Sequence, residues 1–326
     1  MKSHHETLPL FGESETEIIT EYASRNRERI RRWASRGIRF GTSSWKYQGW
    51  IGQIYGRSYR NNKSFESAAL TEYSNLFPTV SGDFALYAFP DPAKMKSMYD
   101  MTSDGFRVSL KVTDRITVKR HPNISRYGTN AGRENPDFLN VELFEDAFLK
   151  PMEELKEKKG SIIFEFSAFH PESQAAYKQF ISSLDHFLSR LPRGYEYAIE
   201  LRNRGFLTGE YLRMLQQHGA AHVLNSWTKM PPIIDQLRIA GILTAPFSVA
   251  RGLLKPGRKY QTAVEMFQPY DRIKEENPEL RMGLVESVRK CIEEKKELYV
   301  YVNNRAEGNA PKTIEAILDI LESGSG

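Results

Sequence analysis

The residues of this chain best able to do chemistry sit where short apolar runs give way to polar side chains. Thr42-Ser43-Ser44-Trp45 closes the first such run, and Asp83 and Tyr87 lie in the second. Lys111 ends the third, Glu165 and Ser167 the fourth, and Glu200-Leu201-Arg202-Asn203 the fifth. Asn225-Ser226-Trp227, Arg251 and Asn303-Asn304 finish the remaining three. Glu165, Glu200 and Asp83 are candidate general acids and bases, provided their surroundings push their pKa values apart. Lys111 suits a carboxylate or phosphate, or a Schiff base if desolvated. Arg202 would stabilise developing charge, and Asn303 and Asn304 would orient the substrate. The two glutamates with Asn303 also form an oxygen set for a hard divalent ion, the one cofactor these residues suggest.

The catalytic candidates are therefore Glu200, Glu165, Lys111 and Arg202. Thr42, Ser43, Trp45, Trp50, Asp83 and Tyr87 are ligand-binding candidates, as are Asn203, Arg251, Asn303 and Asn304. Each position has a plainer reading. Glu200 and Arg202 are two apart, share a strand face and suit an internal ion pair, and Lys111 could neutralise Glu165. The chain has no H-E-x-x-H, paired C-x-x-C, G-x-S-x-G or Walker loop, so hydrolase, lyase and isomerase chemistry all stay open.

Three long connections follow the first, third and seventh runs. The first mixes Trp45, Tyr47, Trp50, Tyr55 and Tyr59 with Lys46, Arg57, Arg60 and Lys63, a combination that suits a stacked sugar or base beside an anion. The second holds Arg115, Lys119, Arg120, His121, Arg126 and Arg133, and the third holds Lys255, Arg258 and Lys259. Aromatics that merely pack the loop down, and cations that are merely solvated, are the alternative.

The elements that must position these groups alternate. Strands are expected at 38–43, 80–87, 106–112, 161–166, 195–201, 221–224, 247–250 and 298–302, with helical patterns such as 142–158, 172–191, 209–218 and 279–296 between them. Gly219 suits a helix stop. Eight strand–helix units over this span predict an α/β fold, a (β/α)8 TIM barrel. An extra N-terminal helix over 14–36 runs from early glutamates to late arginines, with Ile19, Tyr22, Ile30 and Trp33 as its apolar stripe. The expected organisation is an extension at 1–36, the barrel at 37–322 and a tail at 323–326. No G-x-G-x-x-G follows the first strand, which disfavours a dinucleotide fold. Of the histidines, His121 and His170 follow strands and merit testing, whereas His186, His218 and His222 read as structural.

The 326 residues carry a net charge of +5, enough to admit anionic partners without demanding nucleic acid. One cysteine, Cys291, excludes an intrachain disulfide and fits a reducing cytoplasm. No stretch has the length of a membrane span. Nothing in the sequence addresses oligomeric state.

Several strings resemble the YecE-like family, domain of unknown function seventy-two. They are Gly41-Thr42-Ser43-Ser44-Trp45 with Gly49-Trp50 and Tyr55; Tyr87 and Pro90; Gly105-Phe106-Arg107 with Lys111 and Ile116-Thr117; Ile199 to Asn203; and Tyr299 to Asn304 with Gly308 and Ala310-Pro311. The resemblance runs from about Ile38 to Leu321 and implies a TIM barrel without naming a substrate. Two cup positions depart from it: the family's Glu-x-Asn-x-Thr-Phe-Tyr-like run is Ser81 to Tyr87 here, and Glu165 stands where Gln is usual. The leading expectation is an enzyme acting on a small or polymer-borne anionic substrate, phosphorylated or sugar- or nucleotide-like. The alternatives are a non-catalytic module binding nucleic acid or another anionic partner, and a scaffold using the arginine-rich helix.

Overall fold

A computed structural model describes residues 19–86, 88–169 and 173–324. Tyr87, His170 and the first part of the expected N-terminal helix lie outside the described residues. Eight parallel strands close into a barrel in sequence order: β1 (Ile38–Thr42), β2 (Thr79–Gly82), β3 (Arg107–Lys111), β4 (Lys159–Glu165), β5 (Tyr197–Glu200), β6 (Ala221–Asn225), β7 (Phe247–Gly252) and β8 (Glu297–Val302). β8 pairs back onto β1 from Ile38↔Leu298 to Thr42↔Val302. Gly41 permits the closure between β1 and β2, because a Cβ there would lie 2.1 Å from the Thr79 carbonyl oxygen.

Strand periodicity explains why polar groups gather at one end. Side chains two apart share a face, so inward Ile163, Ala198 and Val249 are followed by inward Glu165, Glu200 and Arg251. By the same count Ser109 leads to Lys111, and Tyr301 to Asn303. Below that level the interior is filled. Tyr299 and Tyr301 stack with ring centroids 6.1 Å apart. Tyr301 donates to Ser109 Oγ at 2.6 Å, and its hydroxyl lies 2.9 Å from that of Thr79.

Three expected elements differ from the structure. The second strand stops at Gly82 and turns into a 3-10 segment, Asp83–Leu86. A Cβ at Gly82 would sit 2.7 Å from the Phe84 ring and 2.8 Å from Leu110, so the bare glycine lets the chain fold over itself there. The expected helix at 142–158 changes its hydrogen-bond register, from an α turn (Val141–Phe144) through a π turn (Glu145–Leu149) and a second α turn (Lys150–Met152) to a 3-10 stretch from Glu153 that kinks at Lys156, φ 49°. Pro151, which lacks an N–H and crowds the preceding turn, accounts for the interruption. The N-terminal helix α1 is Glu21–Ala34, capped by the Thr20 hydroxyl; Ile19 precedes it and is exposed rather than part of its apolar stripe.

The longer outer helices include α2 (Asn62–Leu76), α3 (Pro92–Met101), α4 (Gln174–Arg190), α5 (Gly209–His218), α6 (Tyr260–Phe267), α7 (Pro278–Glu293) and α8 (Ala310–Ser323). α5 ends at Gly219, whose φ of 65° is the left-handed conformation a glycine stop supplies. α1 buries Tyr22, Ile30 and Trp33. Its arginines face the acids of α8: Arg25 reaches Glu315 at 2.8 Å, Arg29 reaches Asp319 at 2.7 Å, and Arg32 reaches Glu322 at 2.5 Å. No described helix is long and apolar enough to cross a membrane.

Candidate functional site

The strand ends meet in a cavity of about 310 Å3 at the carboxyl end of the barrel. Asp83, Lys111, Glu165, Arg202, Arg251 and Asn303 are on its wall. Their charges interlock. Glu165 Oε2 receives Arg202 at 2.9 Å, Lys111 at 3.2 Å and Arg251 at 3.3 Å. Asp83 Oδ1 lies 3.3 Å from Lys111 and 3.6 Å from Arg251. Beneath them Glu200, wholly buried, is clamped between Arg251 and Arg202, the latter at 2.7 Å. Both plainer pairings read from the sequence, Glu200 with Arg202 and Glu165 with Lys111, are therefore present.

Three cations thus face three carboxylates, and this balance makes their burial tolerable. Burial opposes the ionised form of Glu165, but Arg202, Lys111 and Arg251 outweigh it and hold the carboxyl well below the usual range. Burial likewise opposes the Lys111 ammonium, and Asp83 and Glu165 overturn that, raising it above an ordinary lysine. A lysine held protonated in this way is not a Schiff-base nucleophile in this state.

The ion-pair network leaves two acceptors, Asp83 Oδ1 and Glu200 Oε1, and three donors without hydrogen-bond geometry. Arg202 Nε and Nη1 and Arg251 Nε are buried without a hydrogen-bond partner, and the Arg202 side chain is only 5% exposed. Among the described residues no three His, Cys, Asp or Glu side chains are arranged to hold a metal ion. The oxygen set expected for a divalent ion instead faces guanidinium and ammonium groups.

Other sequence candidates do not reach the cavity. The Thr42 hydroxyl donates to Ser44 O at 2.7 Å and meets the Tyr73 hydroxyl at 2.8 Å. Ser43 and the indole N–H groups of Trp45 and Trp50 are buried without hydrogen-bond partners. Asn203 pins the loop after β4, its Oδ1 accepting from Phe169 N at 2.8 Å. Asn304 Oδ1 accepts from Ala310 N at 2.8 Å, at the start of α8.

The loop aromatics differ from expectation for one reason: they pack against each other. Tyr47 and Trp50 have ring centroids 4.8 Å apart, and Tyr55 and Phe65 are 5.2 Å apart. Trp50 and Tyr55 are fully buried. The rings that do line the cavity are Tyr47, Trp227 and Tyr260, joined by Arg305. Tyr47 is among the aromatics that the sequence marks for stacking and Trp227 closes the sixth run, whereas Tyr260 and Arg305 carry no local signal. Many rim cations are also neutralised by neighbours. Arg115 pairs with Asp137 at 2.5 Å, Arg126 with Asp114 at 2.6 Å, and Arg258 with Glu275 at 2.6 Å. His121 packs beside Tyr127, ring centroids 5.0 Å apart, away from the cup.

A closed eight-stranded α/β barrel with a polar cup at its carboxyl end defines the class of this molecule. Residues 39–325 match the family described as "Protein of unknown function DUF72", and the chain belongs to that family. Among solved structures it is similar to a DUF72 family protein from Enterococcus faecalis V583, with 19% identity, TM-score 0.60, and coverage of 87% of this chain and 95% of that one. It is also similar to a DUF72 family protein from Thermotoga maritima MSB8, with 20% identity, TM-score 0.59, and coverage of 87% and 99%. At these identities the likeness concerns the fold. No curated protein matches the chain.

Proposed function

We propose that the cup binds a small anionic ligand and acts on it by acid–base chemistry. The observation that carries this reading is the convergence of three cationic side chains, Lys111, Arg202 and Arg251, on the wall of one cavity. An anion drawn to them gains charge-assisted hydrogen bonds, roughly twice as strong as neutral ones. A guanidinium edge also matches carboxylate and phosphate geometry.

In this scheme Lys111, Arg202 and Arg251 hold the anion, and Asn303 orients it. Glu165 is the proton acceptor. Its low pKa makes it a weak base while three cations surround it. An arriving anion competes for those cations, which raises the Glu165 pKa and restores its basicity as the substrate binds. Glu200 contacts two of the anion-holding arginines from beneath and serves as a positioning residue. The paired rim cations weigh against a nucleic-acid module, whose affinity rests on cations free to meet phosphates.

The test is calorimetric titration with inorganic phosphate, sulfate and acetate. At least one should bind saturably, and Arg202→Lys, which cannot present the same edge, should weaken it about tenfold. Absence of saturable binding by all three would remove the proposal.

A further inference from the structure

Above the charged floor, the mouth of the cup is built differently. Two guanidinium groups lie over two aromatic rings, and all four side chains line the cavity. Arg202 Cζ is 3.9 Å from the Trp227 ring centroid, and Arg305 Cζ is 4.4 Å from that of Tyr260. Tyr47 adds a third ring, braced by Trp50 behind it at 4.8 Å and by Tyr270 at 5.4 Å. Tyr47 and Trp227 also rest against a small separate core of Leu254, Ala263, Phe267 and Tyr270 that belongs to the connection after β7. The rings of that wall are thus held in place by their own packing, and Leu86, Leu253 and Leu254 fill in between them.

We infer that the substrate carries a flat aromatic or heteroaromatic ring next to its anionic group, the ring held in the slot between Trp227, Tyr260 and Tyr47. This rests on the anion-binding reading of the floor and specifies the rest of the ligand. Stacked rings and guanidinium faces attract a π system through dispersion and the ring quadrupole. A cavity of about 310 Å3 has room for a ring with an anionic substituent. A polymer end or a long chain would have to extend out of it.

Two matched probe pairs test the inference: phenyl phosphate against inorganic phosphate, and benzoate against acetate, each titrated into the full chain by calorimetry. A stacked ring contributes about 1–3 kcal/mol, so one aromatic probe should bind at least about fivefold tighter than its ringless partner. Trp227→Leu and Tyr260→Ala should each lower that ratio toward one. Tyr260 is half exposed, so its variant keeps the test standing if Trp227→Leu fails to fold. Phosphate or acetate binding with no gain from the ring overturns the slot and leaves the floor intact. A ring advantage that survives both substitutions overturns it as well. If none of the four probes binds, the anion-binding reading fails and takes the slot with it.

Discussion

Glu200→Gln is the most telling perturbation of this fold. The cup holds Lys111, Arg202 and Arg251 against Asp83, Glu165 and Glu200, three charges on each side. Glutamine keeps the shape and one acceptor but leaves the set at +1, with the Arg251 side chain 1% exposed and Arg202 5% exposed. Removing one partner of a buried pair costs about 3–5 kcal/mol, and retention of an acceptor places this variant near 3 kcal/mol. In a chain of this length that corresponds to a fall of roughly 4 °C in Tm. Arg251→Met should cost a similar amount for the opposite reason, by stranding a carboxylate. The double variant should lose about 2 kcal/mol less than the sum, because the stranded charges disappear together. Urea unfolding of the four proteins measures this cycle. A Glu200→Gln loss under about 1 kcal/mol, or strict additivity, would mean that water reaches these groups and that the cup is not a sealed ionic layer.

Other perturbations have equally definite outcomes. Burial lowers the His222 imidazole to about 4, whereas the unfolded side chain titrates near about 6.5. The folded value is the lower one, so its contribution is complete above about pH 6.5 and is lost as pH falls toward about 4, by up to about 3 kcal/mol. His222→Gln should flatten that limb of the urea midpoint against pH, and an unchanged slope counts against the assignment. Glu165, also depressed, contributes above its unfolded value of about 4.3 and loses that contribution as pH drops below it; Glu165→Gln should therefore shrink the acid limb of the same curve. Trp33→Ala, which empties the buried face of α1, should cost about 3 kcal/mol, and a neutral result in thermal unfolding would show that α1 does not belong to the packed body. Heparin should bind weakly in low salt, since rim arginines such as Arg115 and Arg126 already have carboxylate partners, and a tight, steeply salt-dependent complex would restore the polyanion reading.

The barrel was legible because it rests on a short-range signal. Apolar runs of four to eight residues alternate with helical patterns, and the polar residues Glu165, Glu200 and Arg251 land on the inner face by simple parity. The second strand was overextended because Phe84-Ala85-Leu86 reads as strand, whereas Gly82 allows the chain to turn first. The rim was harder to read. An aromatic residue in a loop has the same composition whether it stacks on a ligand or on its neighbour, and Trp50 and Tyr55 took the second course. The mouth of the cup joins Tyr47, Trp227, Tyr260 and Arg305 from four separate connections, a meeting that no local pattern records. Charge pairing was half visible: Glu200 and Arg202 are two apart, but Glu165 and Arg251 are separated by 86 positions.

The stacked tyrosines under the cup settle the traffic through it. With Tyr299 and Tyr301 plugging the barrel and hydroxyl contacts to Ser109 and Thr79 tying that plug to the opposite wall, there is no rear exit. Whatever enters past Trp227 and Tyr260 must leave by the same doorway. A molecule bound there blocks the next until it departs, so any two ligands of the cup compete directly for it.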